Sequence, residues 1–142
     1  MSRPMSIEEI YAYVDEKPRT AHLGVVRKDG RPHVSTIWVT VDGRDIVFTS
    51  GHTSVKGHAL ARTGQAALCI DDMANGSSYV TIEGTVTIDP DPAQSRIWAT
   101  KLGGKYMGQD RAEEFGARNG VPGEYVYRLT PTHMTGVRGV TD

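Results

Sequence analysis

Ten consecutive residues hold the densest chemistry in the chain: Thr49-Ser50-Gly51-His52-Thr53-Ser54-Val55-Lys56-Gly57-His58. Hydroxyls at Thr49, Ser50, Thr53 and Ser54 can donate hydrogen bonds. Ser54 suits the cap of a helix, and a helix N-terminus offers free N–H groups and a partial positive charge. Lys56, in the first turn, adds a full cation. Together these make a phosphate site. The same residues also describe an ordinary Ser-capped helix with a solvated lysine, and local chemistry alone favours that plainer reading. The stretch is not a Walker loop, because the glycine spacing and the Gly-Lys-Ser/Thr ending are missing.

Two further stretches could serve a flat, charged ligand. In Arg31-Pro32-His33-Val34-Ser35-Thr36-Ile37-Trp38, strand alternation puts Ser35, Ile37 and Val39 on one face. Val34, Thr36 and Trp38 fall on the other. Small polar residues beside aromatics suit the edge of a conjugated heterocycle, although a sheet with a mixed outer face explains them as well. In Lys101-Leu102-Gly103-Gly104-Lys105-Tyr106-Met107-Gly108, two ammonium groups precede a phenol; solvated lysines at a helix end are the equal alternative. The five histidines at 22, 33, 52, 58 and 133 show no metal-binding spacing with a carboxylate, so no metal is expected. No Gly-x-Ser-x-Gly elbow supports a serine hydrolase. The lone Cys69 lies in the apolar run Ala66 to Ile70 and is expected to be a buried thiol.

The elements that must position these residues follow from periodicity. Ser6-Ile7-Glu8-Glu9 is a capping box, and Ile7, Ile10 and Val14 continue it as an amphipathic helix over about 6–16, ended before Pro18. The period then drops to 2. Strands are predicted over Thr20–Val26, Val34–Val41 and Asp45–Thr49, joined by Lys28–Arg31 and Asp42-Gly43 into a three-strand antiparallel meander. A helix over Val55–Arg62 closes at Gly64. Strands follow at Ala66–Asp71 and Ser78–Ile88, with a bulge or bend at Gly84. A helix from Asp89–Pro92 onward is expected to break at Gly103-Gly104 and resume over Asp110–Arg118. Two last strands, Glu124–Leu129 and His133–Val137, are separated around Pro131. Six or seven short strands with peripheral helices predict an α+β fold built round a closed sheet, since closure removes exposed edges.

At 142 residues, with 38% hydrophobic and 23% charged residues, the chain has the size and composition of one globular domain spanning 1–142. The net charge of −1, from 16 basic and 17 acidic residues, gives no field that would draw nucleic acid or an anionic membrane. No apolar stretch approaches the ~20 residues needed to span a bilayer, and Met1–Ile10 lacks a signal-peptide core. A cytoplasmic protein is expected.

The order of elements, the Asp29-Gly30-Arg31-Pro32 turn and the Ser54-x-Lys56-x-His58 helix start resemble the pyridoxamine 5′-phosphate oxidase-like split β-barrels. More narrowly, they resemble the branch of flavin/deazaflavin oxidoreductases that use coenzyme F420. The resemblance spans about Thr20 to Val137. It implies a split β-barrel, a homodimer with cofactor sites at the subunit interface, and a small-molecule substrate. It makes Ser54 and Lys56 phosphate ligands and places Thr49 and Ser50 near the junction of ring and chain. Ser35, Thr36 and Trp38 become ring neighbours. Lys101, Lys105 and Tyr106 become partners of an acidic cofactor tail. No residue is named as an obligate acid; Tyr106 or a bound water is the candidate proton donor. One departure bears on the cofactor. The phosphate-oxidase enzymes place Arg beside the motif lysine, and this chain has Val55. Losing a bidentate guanidinium disfavours the terminal phosphate dianion of FMN relative to the phosphodiester monoanion of F420. The resemblance therefore implies an F420-dependent oxidoreductase, with an FMN enzyme or a non-catalytic flavin or haem store as alternatives.

Overall fold

The computed structural model describes residues 1–142. Eight strands and four α-helices follow in the order β1 (Arg3–Pro4), α1 (Ile7–Glu16), β2 (Ala21–Val26), β3 (Pro32–Ile37), β4 (Thr40–Asp42), β5 (Asp45–Gly51), α2 (Val55–Thr63), β6 (Gln65–Asp72), β7 (Ser78–Asp89), α3 (Pro92–Met107), α4 (Ala112–Asn119) and β8 (Glu124–Arg138). Every strand pairing is antiparallel. The sheet runs β3-β2-β6-β7-β8-β5-β4, with β1 added to β8. This is the expected α+β split barrel. The two-residue β1 is too short to leave a periodic signal in the sequence.

The expected three-strand meander does not form. The predicted strand Val34–Val41 divides at Trp38-Val39 into β3 and β4, which stand at opposite ends of the sheet. Alternation passes through the division unchanged: Ile37 and Val39 are both buried, while Thr36 is exposed and Trp38 half-buried. Side-chain period reports which face is inside, not which strand lies alongside. The sequence pattern therefore could not show the break.

Inside the barrel, Leu23, Phe48, Leu68, Ile82, Tyr127 and Leu129 form a single core with residues from two helices. The capping box of α1 is present, with Ser6 accepting from the Glu9 N–H. The helix buries Ile10, Tyr13 and Val14 rather than Ile7, which is 55% exposed. From α2 come Ala59 and Leu60. A second cluster lies outside the barrel, where Trp98 of α3 covers Val47 and Val126.

Three other expectations are corrected. Gly103 and Gly104 do not break α3, which runs unbroken for 16 residues. They let the next segment pack close: a Cβ on Gly103 would lie 2.5 Å from the Phe115 Cβ, and one on Gly104 would lie 2.6 Å from the Gln109 side chain. Pro131 does not end a strand either. β8 is continuous, and Pro131 sits opposite Gly84, where the register shifts and Thr132 is left as the extra residue. A bulge is where a ladder tolerates a residue without an N–H. Cys69 is half-buried, because Leu68 and Ile70 take the inward positions on β6 and turn the thiol to the outer face opposite His22. No helix is long and apolar enough to cross a membrane.

Candidate functional site

Where β5 ends, the chain folds back on itself before α2 begins. Ser54 is the N-cap, in extended conformation, and its Oγ accepts from the Gly57 N–H at 3.0 Å. The same hydroxyl donates to the Gly51 carbonyl at 2.8 Å. Gly57 makes the reversal possible: a Cβ there would lie 2.7 Å from both the Gly51 and His52 carbonyl oxygens. The His52 N–H donates to Gly123 O at 3.0 Å and its ring stacks on Tyr125 at 4.6 Å, which ties the loop to β8. The Lys56 N–H finds no acceptor, as expected in the first turn of a helix. Its ammonium has no ion-pair partner.

This cradle forms one wall of a cleft of about 480 Å³. Thr49, Ser50, Ser54 and Lys56 line that wall. Thr36, Ile37 and Trp38 face them from the end of β3 and the β3–β4 link. Ala99 and Leu102 of α3 supply an apolar side. The cleft opens at the split of the barrel. β3 pairs only with β2, and β4 pairs no farther along β5 than Val47, so two strand edges are left unpaired there. Its volume is that of a small-molecule site.

Six of the ten residues singled out from sequence line this cleft: Thr36, Trp38, Thr49, Ser50, Ser54 and Lys56. Ser35 does not. It faces inward opposite Leu23, and its buried hydroxyl has no partner. Lys101 lies over the Trp98 ring at 4.4 Å, with no hydrogen bond or ion pair. Lys105 and Tyr106 stand behind the cleft wall. The Lys105 ammonium donates to Val39 O and Val14 O, both at 2.7 Å. The Tyr106 hydroxyl accepts from the Val39 N–H at 3.1 Å and donates to Arg19 O at 2.7 Å. Val39 belongs to the link between the two sheet ends, so its main-chain groups have no strand to pair with. These two side chains of α3 satisfy them. Tyr106 also stacks on Trp38, with centroids 5.0 Å apart and planes at 7°.

Burial sets the ionisation of these groups. It pulls Lys105 down from its ordinary value to about 8 and pushes Tyr106 up. Glu124 is a cleft residue that sequence reasoning missed. Burial raises its carboxyl, and Lys56 pulls it back down. It reads in sequence as the first residue of a strand. Only the β5–β8 register, which sets Gly51 opposite Glu124, brings it beside the cradle.

The fold has known relatives. An F420 reductase of known structure is 27% identical, with TM-score 0.70, over 87% of this chain and 94% of that one. A conserved hypothetical protein from Mycobacterium tuberculosis aligns at TM-score 0.82 and 21% identity, over 95% and 86% of the two chains. A FAD-binding protein from Mesorhizobium loti aligns at TM-score 0.71 and 16% identity, over 96% and 97%. These last two likenesses speak for the fold. No curated protein matches the chain. The family model for pyridoxamine 5′-phosphate oxidase matches residues 7–138, and the chain belongs to that family of flavin-binding split barrels.

Proposed function

We propose that this protein is an F420-dependent reductase that acts on an electron-poor small molecule, such as a conjugated enone. The charge of the cradle carries the reading. Lys56 is the one cationic side chain lining the cleft, aided by its own free N–H and the positive end of α2. Val55, 45% exposed, stands where the phosphate-oxidase enzymes place Arg. This donor set balances a phosphodiester monoanion. A phosphate dianion would keep an extra charge, at a cost of about 1–3 kcal/mol, or roughly 5- to 150-fold in affinity, if desolvated and under-paired. The likeness to an F420 reductase at 27% identity supports the same choice.

The residues present fit such a ligand. Lys56 and the start of α2 would hold its phosphate, while the hydroxyls of Thr49 and Ser50 would meet the junction of ring and chain. Thr36 and Trp38 would flank the ring, and Ala99 and Leu102 would keep water from it. The bound cofactor, when reduced, supplies a hydride from its C5. The Tyr106 proton is held by the Arg19 carbonyl, so water is the proton source in this scheme. Lys101 keeps a free ammonium for an acidic tail. We take the working form to be a homodimer with the clefts at its interface.

Titration of the purified protein with F420, FMN and FAD, followed by fluorescence, tests the reading. F420 should bind at least several-fold more tightly than FMN, with a gap that shrinks in high salt. Val55→Arg should narrow it by favouring FMN. A protein that purifies yellow with stoichiometric FMN that F420 cannot displace would overturn the deazaflavin reading. Oxidation of reduced F420 that stays at background with every acceptor would replace a reductase with a cofactor store.

A further inference from the structure

A carboxylate in a cleft built for an anion is an anomaly. Glu124 is half-buried and lines the same cleft as Lys56. Its Oε1 lies 4.0 Å from where a Cβ on Gly51 would stand, over the loop that leads to the cradle. Yet no donor and no ion-pair partner meets its carboxylate within bonding distance; only its main chain is engaged, the N–H donating to Val121 O and the carbonyl accepting from the Ser95 hydroxyl. Water still reaches the carboxylate in the open cleft, and a ligand seated there would displace that water.

We propose that Glu124 couples filling of the cradle to the uptake of a proton. The inference rests on the phosphate reading of the cleft. In the empty protein Lys56 is the cation nearest Glu124 in the cleft and favours its ionised form. A phosphate that takes Lys56 removes that support and brings its own negative charge beside a half-buried carboxylate. Desolvation and like charge both disfavour the ionised acid, so the carboxyl binds a proton. Protonated, it gains an O–H donor, which a phosphate or hydroxyl oxygen can accept. Binding is then strong when Glu124 can be protonated and weakens as the pH rises. A monoanion needs one such proton; a dianion is left with a charge unmatched, so Glu124 adds to the preference that Val55 begins.

The other groups around Glu124 do not take its place. Tyr125 and Tyr127 share its strand, and burial pushes Tyr127 to about 12. From the loop before α2 comes His52, stacked on Tyr125. α3 offers Ser95 and α4 offers Asn119, both neutral.

The experiment measures F420 binding calorimetrically between pH 5.5 and 8.5, in buffers of different ionisation enthalpy, for wild type and Glu124→Gln. The buffer dependence counts protons directly. Wild type should take up a proton fraction approaching one in part of this range, with affinity falling there by close to tenfold per pH unit. Glu124→Gln should bind more tightly at pH 8 and lose that uptake. Protons exchanged by the ligand itself are common to both proteins and cancel in the difference. Equal proton counts in the two proteins, or none in wild type, overturn the proposal while leaving the cofactor reading intact. No F420 binding by either protein at any pH removes both.

Discussion

Lys56 and Lys105 show how one residue type serves two ends. Lys56 has a free ammonium in a cleft; Lys105 has spent its ammonium on two carbonyls. Lys56→Ala should weaken F420 binding by about 1.5–3 kcal/mol, the range for a charge-assisted hydrogen bond. The melting temperature should hardly change, and unaltered affinity would remove Lys56 from the site. Lys105 acts on stability instead. Its folded value of about 8 lies below the ordinary 10.5 because burial disfavours the charge. Between those values the unfolded chain holds a proton that the folded one has released, so stability rises with pH across that window. The neutral amine keeps two N–H donors for Val14 and Val39. Wild type should therefore gain melting temperature relative to Lys105→Met from pH 8 to 10. A constant difference between the two proteins would refute the assignment.

At the scale of elements, the division of one predicted strand into β3 and β4 decides where the cleft lies. The Trp38-Val39 link spans the two sheet ends, and α3 holds it through Lys105 and Tyr106. Tyr106→Phe leaves Val39 N–H, on a fully buried residue, without its acceptor. The expected loss is about 1–3 kcal/mol in urea unfolding, with Trp38 fluorescence altered because its stacking partner loses its anchor. An unchanged unfolding midpoint would mean that the link does not depend on α3. α3 and α4 in turn require Gly103. Gly103→Ala should cost about 1–3 kcal/mol, as overpacking does. If it instead stabilised the protein, as alanine does in an open helix, the close contact with Phe115 would be wrong.

For the whole molecule, the cleft is open at the barrel split, and a flat ring placed there keeps part of its surface exposed to water in a single chain. A second copy would cover it, which is the reason to propose a two-fold symmetric dimer. Sedimentation at micromolar concentration should return twice the 15.5 kDa chain mass. A monomer that binds the cofactor with full affinity would refute the shared site.

Local rules were legible wherever a residue acts on its own neighbours. The capping box at Ser6, the Ser54 cap, the Gly64 stop of α2 and the irregularity at Gly84 all rest on contacts within a few residues, or on one residue's conformational limits. So does the hydroxyl-and-lysine cradle, whose Thr49, Ser50, Ser54 and Lys56 share one cleft with Thr36 and Trp38. What the sequence could not determine is pairing. Whether Trp38 continues a strand or bridges two, whether Gly103-Gly104 breaks a helix or seats a neighbour, and whether Pro131 ends a strand or faces a bulge each depend on residues far along the chain. Glu124 enters the cleft for the same reason, through a register with a strand more than seventy residues earlier. Alternation and capping are short-range and survive in any topology; the partner that satisfies a main-chain group is chosen only when the sheet closes.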